Sequence, residues 1–192
     1  MGRGGSASRK RPARPRVPLA PMRPEPVSDA ATIPEDFLLT PFPEGWRVLV
    51  LLDDRVRVRS RSGVDLAPWL PEIVAALSQR GRRRRGAGAT ELTVADGVLR
   101  WPRRTDDAWP TLAAVDSLTL LDLLVCRGRD VTGCEVPVRR DLLRGLGLAR
   151  EPVVDLAPSW RGSATAAWAQ ARHASVAPQA GVLAGRRGFR RP

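Results

Sequence analysis

The chain has 192 residues, of which 43% are hydrophobic, and a formal net charge of +12. That length buries one ordinary core, and that apolar fraction excludes wholesale disorder. No apolar run approaches the roughly twenty residues of a membrane span. The basic opening GRGGSASRKRPARPR is not followed by the apolar stretch of a secretory signal, so a cytoplasmic protein without membrane contact is expected. One histidine and two cysteines without CxxC spacing argue against a zinc site, and a disulfide between Cys126 and Cys134 is not expected.

The placement of the charge matters more than its size. Residues 1–24 carry Arg3, Arg9, Lys10, Arg11, Arg14, Arg16 and Arg23 and no acid. Arg82, Arg83, Arg84 and Arg85 form a second run, and Arg186, Arg187, Arg190 and Arg191 a third. These runs together exceed the net +12, so the remainder is nearly neutral. Such appendages attract phosphate backbones without reading sequence, or serve only as solvated tails. Lys10 is the single lysine against 31 arginines. A ratio that extreme, with abundant Ala, Gly and Pro, fits a GC-rich coding sequence and is no sign of arginine-specific recognition.

Residues 1–33 are rich in Pro, Arg, Ser and Gly and read as a flexible basic tail. From Phe37 the pattern changes. GWRVLVLLDD followed by RVRVRSRSG predicts a hairpin turning at Asp53-Asp54, with Val56 and Val58 inward and Arg55, Arg57 and Arg59 outward. PWLPEIVAALSQR predicts a helix with Ile73, Val74 and Leu77 inward, broken by the exposed loop GRRRRGAG. ATELTVADGVLRW predicts strand, Asp96-Gly97 turn, strand. DSLTLLDLLVCRGRDVTG predicts an apolar strand and a Gly-containing turn; the Asp122 within it is read as a fold buttress held by hydrogen bonds. VPVRRDLLRGLGL predicts a helix with Leu142, Leu143 and Leu146 on one side. EPVVDLAP predicts a short strand, SATAAWAQARH a short helix, and GVLAGRRGFRRP a loop. His173 is assigned a helix-end role, and most of the six tryptophans are assigned to the core or its edge. The expected fold is α+β, with antiparallel sheets flanked by helices. A basic tail over 1–33, a domain over 34–180 and a basic C-terminal tail over 181–192 complete the organisation.

Two stretches carry a resemblance. RVRVRSRSGVDLAPWLPEI contains Ser60, Arg61, Gly63, Asp65, Leu66, Pro71, Glu72 and Ile73. LLDLLVCRGRDVTGCEVPVRRDLLRGL contains Asp122, Leu123, Leu124, Gly128, Arg129, Asp130, Thr132, Gly133, Arg139 and Arg140. Correctly ordered and spaced, these residues resemble the adenylation (nucleotidyltransferase) domain of ATP-dependent DNA ligases, the bacterial repair type in particular. The resemblance runs from about Pro21 to Arg187 and implies the ligase-type nucleotidyltransferase fold.

The catalytic motifs depart from the family. Its nucleophile stands in Lys-x-Asp-Gly-x-Arg and attacks the α-phosphate of ATP; the adenylate then passes to a 5′-phosphate at a nick. Here that stretch reads Phe42-Pro43-Glu44-Gly45-Trp46-Arg47. Glu44, Gly45 and Arg47 fit, but Phe42 takes the lysine position, and a benzyl group has no lone pair to attack phosphorus. The family's Asp-Gly-Glu strand, whose glutamate helps hold the nucleotide sugar, is read at Ala89-Thr90-Glu91, where Glu91 alone survives. The Glu-Gly-Val-Val-x-Lys strand, which binds metal and phosphate, has only His173-Ala174-Ser175-Val176-Ala177-Pro178 as its nearest match. The final Trp-Leu-Lys-x-Lys strand and the oligonucleotide-binding domain that follows it in the family have no counterpart here. Phosphoryl transfer depends on positioning and on cationic or metal stabilisation of charge, so these losses remove most contributors.

The resemblance therefore implies nucleotide-binding remnants at Glu44, Gly45, Arg47, Arg61 and Glu91. Arg47 and Arg61 read equally well as sheet-face arginines, and Glu91 as an exposed strand residue. Nucleic-acid contact is expected at Arg82, Arg83, Arg84, Arg85, Arg186 and Arg187. ATP and Mg2+ are the cofactors that the family implies; the residues themselves establish none, and no metal ligands are expected. Nicked duplex DNA and an intact ligase or repair polymerase are the expected partners. Beside an inactive ligase-like domain stand two alternatives. One is an active ligase using a nucleophile or partner from elsewhere; the other is an interaction scaffold.

Overall fold

The computed structural model describes residues 25–27, 37–41, 43–83, 91–101, 111–160, 163–174 and 182–186. In chain order the strands and α-helices are β1 (Glu25–Val27), β2 (Phe37–Pro41), β3 (Trp46–Leu52), β4 (Val56–Ser60), α1 (Pro71–Arg83), β5 (Thr93–Arg100), β6 (Ser117–Cys126), β7 (Arg129–Asp130), α2 (Val136–Leu146), β8 (Val154–Leu156), α3 (Ala164–Ala174) and β9 (Val182–Arg186). Six strands form one sheet in the order β4-β3-β5-β6-β7, with β8 pairing parallel to β6 and every other pairing antiparallel. β1, β9 and β2 form a separate three-stranded antiparallel sheet. The α+β expectation holds. No helix among the described residues is long and apolar enough to cross a membrane.

Alternation along the strands divides the main sheet into two faces. Val48 and Val50 of β3, Val58 of β4, Ala95 and Leu99 of β5, and Leu118, Leu120 and Leu123 of β6 form the principal core. Ile73 and Leu77 of α1 and Leu143 of α2 join it, so the principal core binds both helices to this first face. Leu51, Val94, Leu124 and Val125 form a smaller cluster, and Val98, Leu121 and Ala157 another. On β3 and β5, the residues of these smaller clusters alternate with those of the principal core and so lie on the second face.

The hairpin at Asp53-Asp54 forms as expected, with Leu52 opposite Val56 and Val48 opposite Ser60. Four expectations are corrected. Asp96-Gly97 is not a turn: β5 runs straight through it between β3 and β6. Register shifts on either side of Asp96 accommodate the irregularity. Gly97 allows a close approach there, since a Cβ would stand 3.0 Å from both Leu118 Cδ1 and the Thr119 carbonyl oxygen. The break expected at Gly81 does not occur, because α1 continues through Arg83; Arg84 and Arg85 lie outside the described residues. Leu142 is 38% exposed, and α2 instead buries Val136, Pro137, Arg139, Arg140 and Leu143. Finally, Val182–Arg186, read as loop, pairs with both Glu25–Val27 and Phe37–Pro41. Backbone pairing orders these segments where composition offers no signal.

The tryptophans divide. Trp46 and Trp101 pack as a tilted pair with ring centroids 5.5 Å apart, whereas Trp69 is 56% exposed. Both cysteines are free thiols.

Candidate nucleotide-binding face

The segment Pro43–Gly45 leads into β3. Glu44 is exposed. Gly45 lies so close to β5 that a Cβ would overlap the Leu99 carbonyl oxygen and Val98 Cγ1. A Gly45→Ala chain is expected to lose about 1–3 kcal/mol by this overpacking, read as a lower urea midpoint with an unchanged slope. A midpoint equal to the parent's would show that the approach is not tight.

Arg47 is directed to the second face of the sheet. Its Nε donates to Asp96 Oδ1 at 3.0 Å and its Nη2 to Asp96 Oδ2 at 2.7 Å, a bidentate pair. Asp96 is 1% exposed. Burial raises its carboxyl pKa above the ordinary value; the Arg47 hydrogen bond and charge oppose that rise, and the charge of Asp122 adds to it. Asp122 stands directly opposite Asp96 on β6.

Two adjacent buried carboxylates repel, and each is met by its own arginine. Arg139 Nε donates to Asp122 Oδ1 at 3.0 Å and Nη2 to Oδ2 at 2.6 Å, while Nη1 donates to the Cys134 carbonyl at 2.7 Å. The Asp122 buttress therefore has a partner that sequence reasoning did not find. The next residue, Arg140, donates from Nη1 to the Leu121 carbonyl at 2.8 Å and from Nη2 to the Ala157 carbonyl. Burial lowers its pKa to about 10, so it stays charged at neutral pH. One helical dipeptide thus ties α2 to β6 and to the segment after β8. The available signal was an Asp in each of two apolar strands, with an Arg-Arg pair opening the next helix.

The remaining site candidates fall in different places. Arg61 is exposed in the turn after β4. Because Ser60 lies opposite Val48, Arg61 stands at the same end of the sheet as Arg47. Glu91 is exposed ahead of β5, whose Thr93 lies opposite Leu52. That is the far end of β3, roughly 17 Å from Arg47 at about 3.4 Å per residue. Its near neighbour is Gly128, where a Cβ would meet the Glu91 side chain at 3.7 Å. The fold therefore groups Glu44, Gly45, Arg47 and Arg61 and leaves Glu91 apart. Arg82 and Arg83 end α1, the helix on the opposite face, and Arg186 ends β9. Phe42, Arg84, Arg85, Arg187 and Lys10 lie outside the described residues. Among the described residues no three His, Cys, Asp or Glu side chains are grouped to hold a metal ion.

Solved structures share this architecture. The ligase domain of M. tuberculosis LigD superposes with a TM-score of 0.63 and 25% identity, covering 90% of this chain and 54% of that one. A mycobacterial DNA ligase D complexed with ATP and MES gives a TM-score of 0.62 and 26% identity, covering 90% of this chain and 55% of that one. The chain thus spans about half the length of these structures. A third structure, described as Pmar-Lig_Pre, shares the fold at a TM-score of 0.51 and 15% identity, covering 77% of this chain and 37% of that one. No protein-family model and no curated protein sequence matches the chain.

Proposed function

From a chain built as the adenylation domain of ATP-dependent DNA ligases, we propose a ligase-like protein of DNA repair that forms no covalent nucleotide and engages nucleic acid through its arginine-rich segments. One observation carries the loss of chemistry. Phe42 stands where the family places its nucleophilic lysine, and Lys10, in the basic opening, is the single lysine of the chain.

The register of β5 supplies a second support. Asp96-Gly97 sits in the strand paired with β3, which opens on Trp46-Arg47 directly after Glu44-Gly45. That makes it a better counterpart of the family's Asp-Gly-Glu than Ala89-Thr90-Glu91 at the far end. On this assignment the sugar-binding glutamate is replaced by Val98, which is 0% exposed. An isopropyl group accepts no hydrogen bond from a ribose hydroxyl. The bidentate bond to Asp96 gives Arg47 a role without catalysis: it neutralises a buried acid. Glu44 and Arg61 are the exposed remnants, open to a nucleotide that binds without reacting.

The protein so read works in the cytoplasm on nicked duplex, beside an intact ligase or a repair polymerase. Its decisive test is incubation of the purified chain with ATP labelled at the α-phosphate and with Mg2+, followed by denaturing electrophoresis. No radioactive band is expected, either for the natural chain or for Phe42→Lys, since the single amine does not restore the lost sugar and phosphate contacts. A protein-bound AMP on the natural chain would overturn the loss of activity and favour an active ligase. Binding of nicked duplex that survives high salt, or none at all, would remove the arginine-based contact.

A further inference from the structure

We propose that the solvent side of β4 is a second track for the phosphodiester backbone of nucleic acid, built into the folded domain and separate from the arginine runs at residues 82–85 and 186–191. The proposal rests on the nucleic-acid reading above. Cross-strand partners share a face. Leu51 faces Arg57 and Leu49 faces Arg59, so these arginines project on the second face, the side of Arg47 and Asp96. Arg61 follows in the turn that the Gly63 N–H closes on the Ser60 carbonyl, and Arg55 precedes Arg57 in the hairpin turn. Along β4 itself Arg57 and Arg59 stand roughly 6.7 Å apart, as alternate residues of a strand do.

One cation of the group, Arg57, is paired with Asp53, and Asp96 is held by Arg47. The Asp65 carboxylate accepts the backbone N–H groups of Val58 and Ala67. Arg55, Arg59 and Arg61 are exposed and form no side-chain ion pair among the described residues. Like charges on one strand face repel, and an apposed polyanion relieves that repulsion while releasing its own counterions. The guanidinium fork suits phosphate oxygens. β4 is the end strand of its sheet, with Val56 and Val58 turned to the core, so a rigid element presents Arg59 and holds the two turns that carry Arg55 and Arg61.

The test uses the full chain and a fluorescent nicked DNA duplex, titrated by anisotropy across a salt series. Arg55→Gln/Arg59→Gln should bind several tens of fold more weakly at about 0.1 M salt and lower the slope of log K against log salt by about 2. Arg55→Lys/Arg59→Lys should keep the parental slope. If the parent binds with a steep salt slope, the glutamine pair leaves it unchanged and Arg82–Arg85→Gln reduces it, the β4 track is overturned and the nucleic-acid reading stands. If the lysine pair loses as much as the glutamine pair, charge is not the cause and the track is again overturned. A parent that binds no duplex at low salt overturns both.

Discussion

Arg139→Ala is expected to cost about 3–5 kcal/mol of folding stability, the usual penalty for leaving a buried charge unpaired. Asp122 is 5% exposed and Arg139 3% exposed. Truncation removes every Arg139 bond to the carboxylate and the bond to the Cys134 carbonyl together. Asp122 would then face Asp96 across one strand pairing with no hydrogen-bonded cation of its own. For a chain of this length each kcal/mol moves the melting temperature by about 2–4 °C, so a fall of about 6–20 °C should be seen. Replacing both partners, as Asp122→Leu/Arg139→Met, should recover much of the loss, because the pair's desolvation penalty goes with its attraction. Differential scanning calorimetry of the three proteins decides the matter. A single variant that melts with the parent, or a double variant no better than the single, would show that the pair does not carry this weight.

Arg47→Ala is expected to cost about 3 kcal/mol at neutral pH, and the loss should depend on pH. The Asp96 carboxyl already has a raised pKa, chiefly through burial. A folded-state acid with a raised pKa holds its proton where the unfolded chain has released it. Its stabilising effect is greatest below the ordinary value of 3.8 and is lost as pH climbs to the folded pKa. Removing Arg47 removes its hydrogen bond and its charge, which pull that pKa down, and leaves only the Gly97 backbone bond to do so, so the window extends further upward. The variant can then neutralise Asp96 by protonation in mild acid but not at neutral pH. Its deficit against the parent should therefore shrink as pH falls, and Arg47→Ala/Asp96→Asn should show no such trend. Urea unfolding at several pH values reads this directly. A deficit equal at all of them would mean that the carboxyl does not titrate in response to Arg47.

The legible parts of the candidate site were those in which neighbours in sequence are neighbours in space. Glu44, Gly45 and Arg47 lie on one short segment, and Arg61 follows the hairpin that begins there. Glu91 was assigned by likeness over three residues, with no register to check it. Asp96-Gly97 has turn-forming chemistry, so it was read as a turn; nothing local reveals a partner 49 positions away in Arg47. Leu142 has the apolar character of an inward residue, yet the inward face of α2 takes two arginines beside Leu143 and leaves Leu142 exposed. Helical periodicity sees polarity and cannot see an acid waiting on another element.

By itself the sequence determined which residue types are available to chemistry and most of the local structure. Phe42 is no nucleophile in any fold. The Asp53-Asp54 hairpin, the helix at Pro71 and the apolar strand from Ser117 follow from alternation and turn residues, which act over a few positions. Only the tertiary structure decided which charges are buried and with whom. The cost of burying a carboxylate depends on the dielectric and the cation around it, and strands distant in the chain supply both. The same long-range pairing made strands of Glu25–Val27 and Val182–Arg186, since a strand's hydrogen bonds belong to its neighbour and leave no periodicity of their own when the segment is short.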